Sequence, residues 1–296
     1  MKVKKFTRGA RLLAVAASLV TAAALAAPTA VADSHATAAP SAAQLAKASD
    51  GVLKADIGGT SWYTDKATGK VVVTVDSTVS AAEIAKIKKT AGDQSGALQI
   101  KHTPGKFNRL IAGGEAIYGA GARCSLGFNV VGGGVYYALT AGHCTNGRPS
   151  WTFGGGTLGN VAAGQFPTYD YGVIRHANNA NADGRVYLHN GTYRDIVNAN
   201  TPSVGQRVER SGSTTGWRTG NVTALNATVN YGGGQVVYGT IQTNVCGQPG
   251  DSGGPLFSGN TAHGLLSGGS GNCTSGGITF YEPVTRPLGI HGLSVF

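Results

Sequence analysis

Residues 250–255 read GDSGGP, placing one hydroxyl, Ser252, and one carboxyl, Asp251, among three glycines and a proline. A turn needs the glycines but has no use for an Asp-Ser pair. Acyl chemistry does. A serine hydroxyl is a weak nucleophile until an adjacent base takes its proton. The oxyanion formed when it attacks a carbonyl needs donors already in place, each contributing on the order of 3 kcal/mol in other enzymes. The N–H groups of Gly250 and Ser252 can point into one spot, because glycine tolerates the backbone angles this requires.

A nucleophile of this kind predicts a base and an acid to orient it. His143 stands in LTAGHCTN, next to Cys144 and at the end of the apolar run VYYALTA. Of the other histidines, His35 and His102 fall in a part of the chain expected to be removed. His176, His189, His263 and His291 have no comparable setting. The stretch FPTYDYGVIRH offers Asp170, flanked by Tyr169 and Tyr171 and followed by Val-Ile. A carboxylate in that company is expected to be partly buried, and buried carboxylates are rare unless paired, whereas Asp183 and Asp195 sit in polar text and read as solvated.

The elements that position these residues follow from the text around them. From Ile111 onward glycine is frequent and lysine is absent. Short β-type runs recur between turn residues: RCSLGFNVV, VYYALTA, RVYLHN, TGNVTALNATVNY, QVVYGTIQTNV, TAHGLLSG and ITFYEPVT. Only the final TRPLGIHGLSVF carries a helical period. Many short strands with Gly-rich turns predict an all-β sandwich or barrel, and two barrels of similar size fit the length. An α/β esterase is disfavoured, because that fold wants G-x-S-x-G and the acid before the histidine. A binding module that had lost catalysis would be expected to lack one of the three residues.

Upstream of Ile111 two further blocks differ in composition. Lys2, Lys4, Lys5, Arg8 and Arg11 precede an uncharged apolar run over residues 12–28, and Ala30 and Ala32 form an A-x-A site. This order reads as a secretory signal peptide over residues 1–32, and no other run is long and apolar enough to span a bilayer. Residues 33–50, rich in Ala and Ser, are expected to be loosely ordered. SWYTDKATGKVVVTV then reads as two strands around Thr68-Gly69. SAAEIAKIKKTAG reads as a helix with a Ser80–Glu83 capping box, Ile84 and Ile87 on one face and Gly92 closing it. Residues 33–110 thus form a small α/β unit placed as a cleaved pro-region would be.

The formal charge of +10 is concentrated in the part expected to be removed. Residues 1–110 hold 12 lysines and 3 arginines against 7 acids, a net +8, and residues 111–296 hold 9 arginines against 7 acids, a net +2. That leaves no basic patch for nucleic acid. The four cysteines, Cys124, Cys144, Cys246 and Cys273, read as two disulfides in an exported chain, with three possible pairings. Sequence-near pairing gives Cys124–Cys144 and Cys246–Cys273. No C-x-x-C or H-x-x-x-H spacing supports a metal, and no cofactor is expected.

The order His143, Asp170, Ser252, in TAGHC, DYGVI and GDSGGP, resembles the chymotrypsin-like serine peptidases. IAGGEAIYG, RCSLGFNV, RSGSTTG, TNVC, PGDSGGPLFSG and SGGSGNC extend the resemblance to the bacterial streptogrisins along residues 111–296. It implies two six-stranded antiparallel β-barrels, residues 111–203 carrying His143 and Asp170 and residues 204–296 carrying Ser252. Ser252 would be nucleophile, His143 general base and then acid, and Asp170 the orienting acid. Gly250 and Ser252 would supply the oxyanion hole. Ser267 would bond to Asp170, and Ser267, Gly268 and Gly269 would pair with substrate backbone as an added strand. Arg210 would pair with Asp251, the task that a new N-terminus performs in animal relatives.

The text before Ser252 holds no acid except Asp251, and Leu266 stands where a glutamate-preferring relative would carry histidine. The specificity pocket therefore reads as neutral and apolar, accepting large hydrophobic or aromatic P1 residues. Mature relatives begin at a stretch like IAGGEAIYG, which puts cleavage after Leu110, a residue such a pocket would accept. The expectation is a secreted, monomeric endopeptidase acting on proteins and peptides. Its own pro-region would serve as folding aid and inhibitor.

Overall fold

A computed structural model describes residues 39–107, 110–154 and 156–296. The expected signal peptide, residues 1–32, lies outside the described residues. The described chain forms two compact units that divide near residue 104.

In the first unit, Thr60–Asp65 and Lys70–Val75 pair antiparallel, and Leu98–His102 adds parallel to Lys70–Val75. Gly69, at φ 61°, makes the hairpin turn. Helix Ala81–Ala91 starts at the Ser80–Glu83 capping box and ends at Gly92, also at positive φ. Residues 42–50 are not loosely ordered: they belong to helix Ala42–Ala55, which a second capping box, Ser41–Gln44, initiates. Alanine is the strongest helix former, and Ala48, Val52 and Ala55 recur on one face and bury against Val71, Val73 and Val75 of the sheet. Composition suggested disorder; capping and periodicity decide for helix.

The second unit is built mainly from antiparallel sheet, with Ile111–Gly113 pairing parallel to Ala182–Tyr187 and Asn198–Ala199 parallel to Thr261–Asn272. Its N-terminal half is a seven-stranded sheet in the order Ala122–Ser125, Ala116–Gly119, Ser150–Phe153, Gly156–Gln165, Tyr171–His176, Val135–Thr140, Asn129–Gly132. The sheet curls on itself, since Gly127 N donates to Leu139 O and Leu126 N to Glu115 O at its two ends. Trp151, Ile117, Leu126, Leu158 and Ile174 fill its interior.

The C-terminal half is a closed six-stranded barrel. Thr261–Asn272, Pro255–Ser258, Arg207–Arg210, Arg218–Asn230, Val236–Thr243 and Gly276–Pro283 pair in that order, and Gly276–Pro283 pairs again with Thr261–Asn272. Val208, Val222, Ile241, Leu256, Leu266 and Tyr281 form its core. The helical period at the C-terminus becomes helix Thr285–His291. Among the described residues no helix is long and apolar enough to cross a membrane.

A separate cluster joins the halves. Phe128, Leu139, Tyr171 and Val173 from the first pack with Phe257, Leu265, Val284 and Leu288 from the second. Each fully buried side chain of this kind contributes roughly 1.5–3 kcal/mol. The seam is therefore a packed core, able to hold groups from both halves in register.

Candidate active site

His143 sits where strand Val135–Thr140 runs into the single turn Gly142–Thr145. Cys144 is bonded to Cys124 on the neighbouring strand, which pins that turn; the second bridge joins Cys246 to Cys273. The three open pairings thus resolve to the sequence-near one. Cys124, His143 and Cys144 lie close enough to share an ion, but their two sulfurs are bonded to each other and supply no thiolate.

Asp170 lies in the turn between Gly156–Gln165 and Tyr171–His176, and is fully buried. Its Oδ1 accepts the backbone N–H of His143 at 2.8 Å; its Oδ2 lies 2.8 Å from His143 Nδ1 and accepts the Ser267 hydroxyl at 2.6 Å. A carboxylate at Nδ1 places the imidazole proton there and leaves the Nε2 lone pair toward the cleft. The histidine side chain is 29% exposed, so one edge remains open to substrate.

Ser252 is half-buried and lines the same cleft as His143. Among the described residues its hydroxyl makes no hydrogen bond. Catalytic contacts in unliganded enzymes are often long and tighten on binding substrate. The backbone around it is held firmly. Ser252 O accepts from Ser125 N at 2.8 Å, and Gly253 N donates to Leu266 O at 2.7 Å.

The two expected oxyanion donors are oriented by their own peptide planes. Pro249 O accepts from Thr214 Oγ1 at 2.9 Å, and Asp251 O accepts from Gly254 N at 2.9 Å. In a trans amide the N–H points opposite to the C=O, so both bonds aim the Gly250 and Ser252 N–H groups away from the body of the loop. Among the described residues neither N–H has an acceptor. Gly250 takes φ 94°, and a Cβ there would lie 2.4 Å from Thr214 Oγ1. Only glycine fits.

With this geometry in place, comparison with known proteins is decisive. A trypsin family model matches residues 111–288, and an alpha-lytic protease prodomain model matches residues 41–95. Streptogrisin-A of Streptomyces griseus is 59% identical over 289 residues, which span 98% of this chain and 96% of that protein. The chain belongs to the trypsin family of serine proteases, in its streptogrisin group. Serine protease 2 of Streptomyces fradiae is 64% identical over 174 residues, 57% of this chain and 100% of that one. Among solved structures, a glutamic-acid-specific serine protease that uses a histidine triad in substrate binding matches with a TM-score of 0.61 at 45% identity. It covers 63% of this chain and 100% of its own. Cellulomonas bogoriensis chymotrypsin matches with a TM-score of 0.57 at 42% identity, over 63% of this chain and 98% of its own.

In this streptogrisin-like protease Arg210 and Asp251 are both fully buried, with Nη1 3.3 Å from Oδ2. Asp251 also accepts from Thr214 N, Thr215 N, Thr215 Oγ1 and Gln248 N at 2.7–3.0 Å. Arg210 donates to Cys246 O at 2.7 Å and to Thr215 Oγ1. The ion pair therefore sits at the hub of the loop that carries Ser252.

The protease's cleft has a volume of about 610 Å³. Gly247, Leu266, Gly268, Gly269, Gly271 and Thr279 contribute to its walls beside Arg148, Gln235 and Gln248, and among the described residues no acid lines it. Tyr231, unnoticed in the sequence, closes one side and meets Ser267 Oγ at 3.0 Å. Burial pushes its hydroxyl up to about 12, so it remains a neutral donor. Two further positions escaped sequence reading. Ser125 Oγ donates to Gly250 O at 2.8 Å, and Arg123 donates to Thr214 Oγ1 at 2.9 Å and to Ser213 O at 2.6 Å. Nothing local in RCSLG marks them, since their partners lie 90 to 125 residues on.

Proposed function

We propose that this serine protease is a secreted endopeptidase working through an acyl-enzyme, with Ser252, His143 and Asp170 as its catalytic residues. The observation that carries the reading is the buried Asp170 carboxylate 2.8 Å from His143 Nδ1, with His143 and Ser252 lining one cleft. Ser252 Oγ attacks the scissile carbonyl while His143 Nε2 takes its proton. The oxyanion accepts from Gly250 N and Ser252 N. Collapse expels the amine, which takes the proton from His143, and leaves an ester on Ser252. Water, activated by the same imidazole, then releases the acid. Asp170 keeps its charge throughout and stabilises the imidazolium.

Ser267, Gly268 and Gly269 lie on the edge facing the cleft, where an extended substrate would add as a strand. What supports large hydrophobic or aromatic P1 residues is that Gly247, Gly268, Gly269 and Leu266 line the cleft with no acid among the described residues, and that Leu266 occupies the place expected of a histidine in a glutamate-specific relative. The precursor is cut after Leu110, which is half exposed, freeing Ile111 as N-terminus. That cut is self-processing, and until it occurs the pro-region inhibits as well as assists folding. The mature protein acts as a monomer outside the cell. A fluorophosphonate probe tests the assignment. It should modify Ser252 in the mature protein and should fail to modify S252A or denatured protein; labelling elsewhere would overturn the mechanism. Cleavage of a mixed peptide library then reads P1 directly.

A further inference from the structure

Glu282 is an anomaly that the proposed mechanism does not use. It is fully buried at the end of strand Gly276–Pro283 in the C-terminal barrel, and an unpaired carboxyl there would be costly. Its two oxygens have different partners. Oε2 accepts the backbone N–H of Asp170 at 3.0 Å, and Oε1 accepts Arg286 Nη1 at 2.6 Å. Arg286 lies one helical turn further on, in helix Thr285–His291, and its guanidinium carbon stands 3.8 Å from the centre of the Tyr169 ring. Both contacts converge on one dipeptide, Tyr169–Asp170. The ring is gripped by a cation over its face and the following peptide by a charge-assisted hydrogen bond.

We infer that Glu282 and Arg286 are positioning residues for catalysis, a clasp from the C-terminal barrel that fixes the backbone of Asp170 and thereby the orientation of His143. The inference rests on the proposed roles of Asp170 and His143. The lever is short. Displacing the Asp170 backbone moves a carboxylate that holds both the His143 N–H and Nδ1. The charged groups facing Glu282 are Asp170 and Arg286, with the hydroxyls of Tyr169 and Tyr171 nearby. Burial pushes its carboxyl up to about 7, the Asp170 charge adding to that, while the Asp170 N–H and Arg286 pull it back. The clasp is thus at full strength only on the alkaline side of neutrality.

The test compares E282A, E282Q and R286M with wild type, on full-length precursor that matures normally and with rates normalised to active sites by fluorophosphonate titration. E282A leaves a buried N–H without acceptor and should lower kcat on the order of tenfold, with KM little changed. E282Q keeps an acceptor for Asp170 N, and Arg286, which is partly exposed, can turn to water. It should recover most of kcat, and the acid limb of its pH–kcat/KM profile should fall, because a negative charge near the His143–Asp170 pair is gone. R286M should fall between the two. The inference is overturned if E282A lowers only yield or stability while kcat per titrated site and the acid limb match wild type. D170N serves as the control. Unchanged activity in D170N would instead sink the underlying role of Asp170.

Discussion

Arg210 offers the sharpest perturbation. Its guanidinium and the Asp251 carboxylate are both without solvent exposure, so neither charge can be taken over by water. Breaking a buried pair by removing one partner costs about 3–5 kcal/mol. After R210Q, Asp251 would still accept its four hydrogen bonds from Thr214, Thr215 and Gln248, which argues for the lower end, about 3 kcal/mol. That strain falls on the segment carrying the Gly250 and Ser252 N–H groups, which have no acceptor among the described residues. If it is relieved by letting the loop leave its present conformation, kcat/KM should fall about 10²-fold at 1.4 kcal/mol per decade. The assay is hydrolysis of a chromogenic peptide, normalised to titrated active sites. A double-mutant cycle with D251N isolates the pair. The double variant should be less impaired than the two single losses combined. Full activity in R210Q, or strict additivity, would refute the reasoning.

Other consequences can be checked separately. S252A precursor expressed in a protease-deficient host should remain uncut between residues 110 and 111 by intact mass, and normal maturation would assign the cut to another protease. G250A must place a methyl 2.4 Å from Thr214 Oγ1 at φ 94°. It should lose on the order of 10²–10³ in kcat with little change in KM, whereas retained kcat would remove Gly250 from the oxyanion hole. Glu282 ionises near 4.5 when unfolded and about 7 when folded. Between those values the folded chain holds a proton the unfolded chain has released, so stability falls as pH rises, by about 3 kcal/mol across the window. Urea unfolding in an S252A background should show this decline, and E282Q should flatten it; identical pH dependence would contradict a carboxyl titrating there.

What could be read from the sequence was what lies within a few residues. His143, Asp170 and Ser252 announce themselves because each has conspicuous neighbours: a cysteine, two tyrosines, a glycine turn. Arg210 was found through the RSGSTTG text, but the Thr214 and Thr215 contacts that make its site were not. Glu282 was invisible for a stronger reason. Its partner Asp170 lies 112 residues away, and their meeting depends on the pairing register of strands in separate halves. Register is set by hydrophobic pattern over whole strands, and a slip of one residue reverses every side chain. No short motif encodes such a contact. The opposite error occurred over residues 42–50, where composition suggested looseness and the Ser41–Gln44 box, itself a local signal, was passed over.

The positions of these long-range contacts explain why such a chain would be made with a prodomain. Each half holds the loop that carries the other's proposed catalytic residues. Ser267 and Glu282 of the C-terminal barrel bond to Asp170 of the N-terminal half. In return, Ser125 of the N-terminal half bonds through its hydroxyl to Gly250 O and through its amide to Ser252 O. Thr168 N likewise donates across to Val236 O at 2.8 Å, beside Asp170. Neither half holds its own functional loop alone, and the side-chain contacts that do so join residues 97 to 125 positions apart. Loop-closure entropy must be met before such contacts return anything, which makes folding of non-local β topologies slow. A separately folded unit that binds the half-assembled protease would lower that barrier and could be discarded afterwards. The proposed catalytic geometry and the use of a folding aid would then be two consequences of one arrangement, a site divided between the two halves.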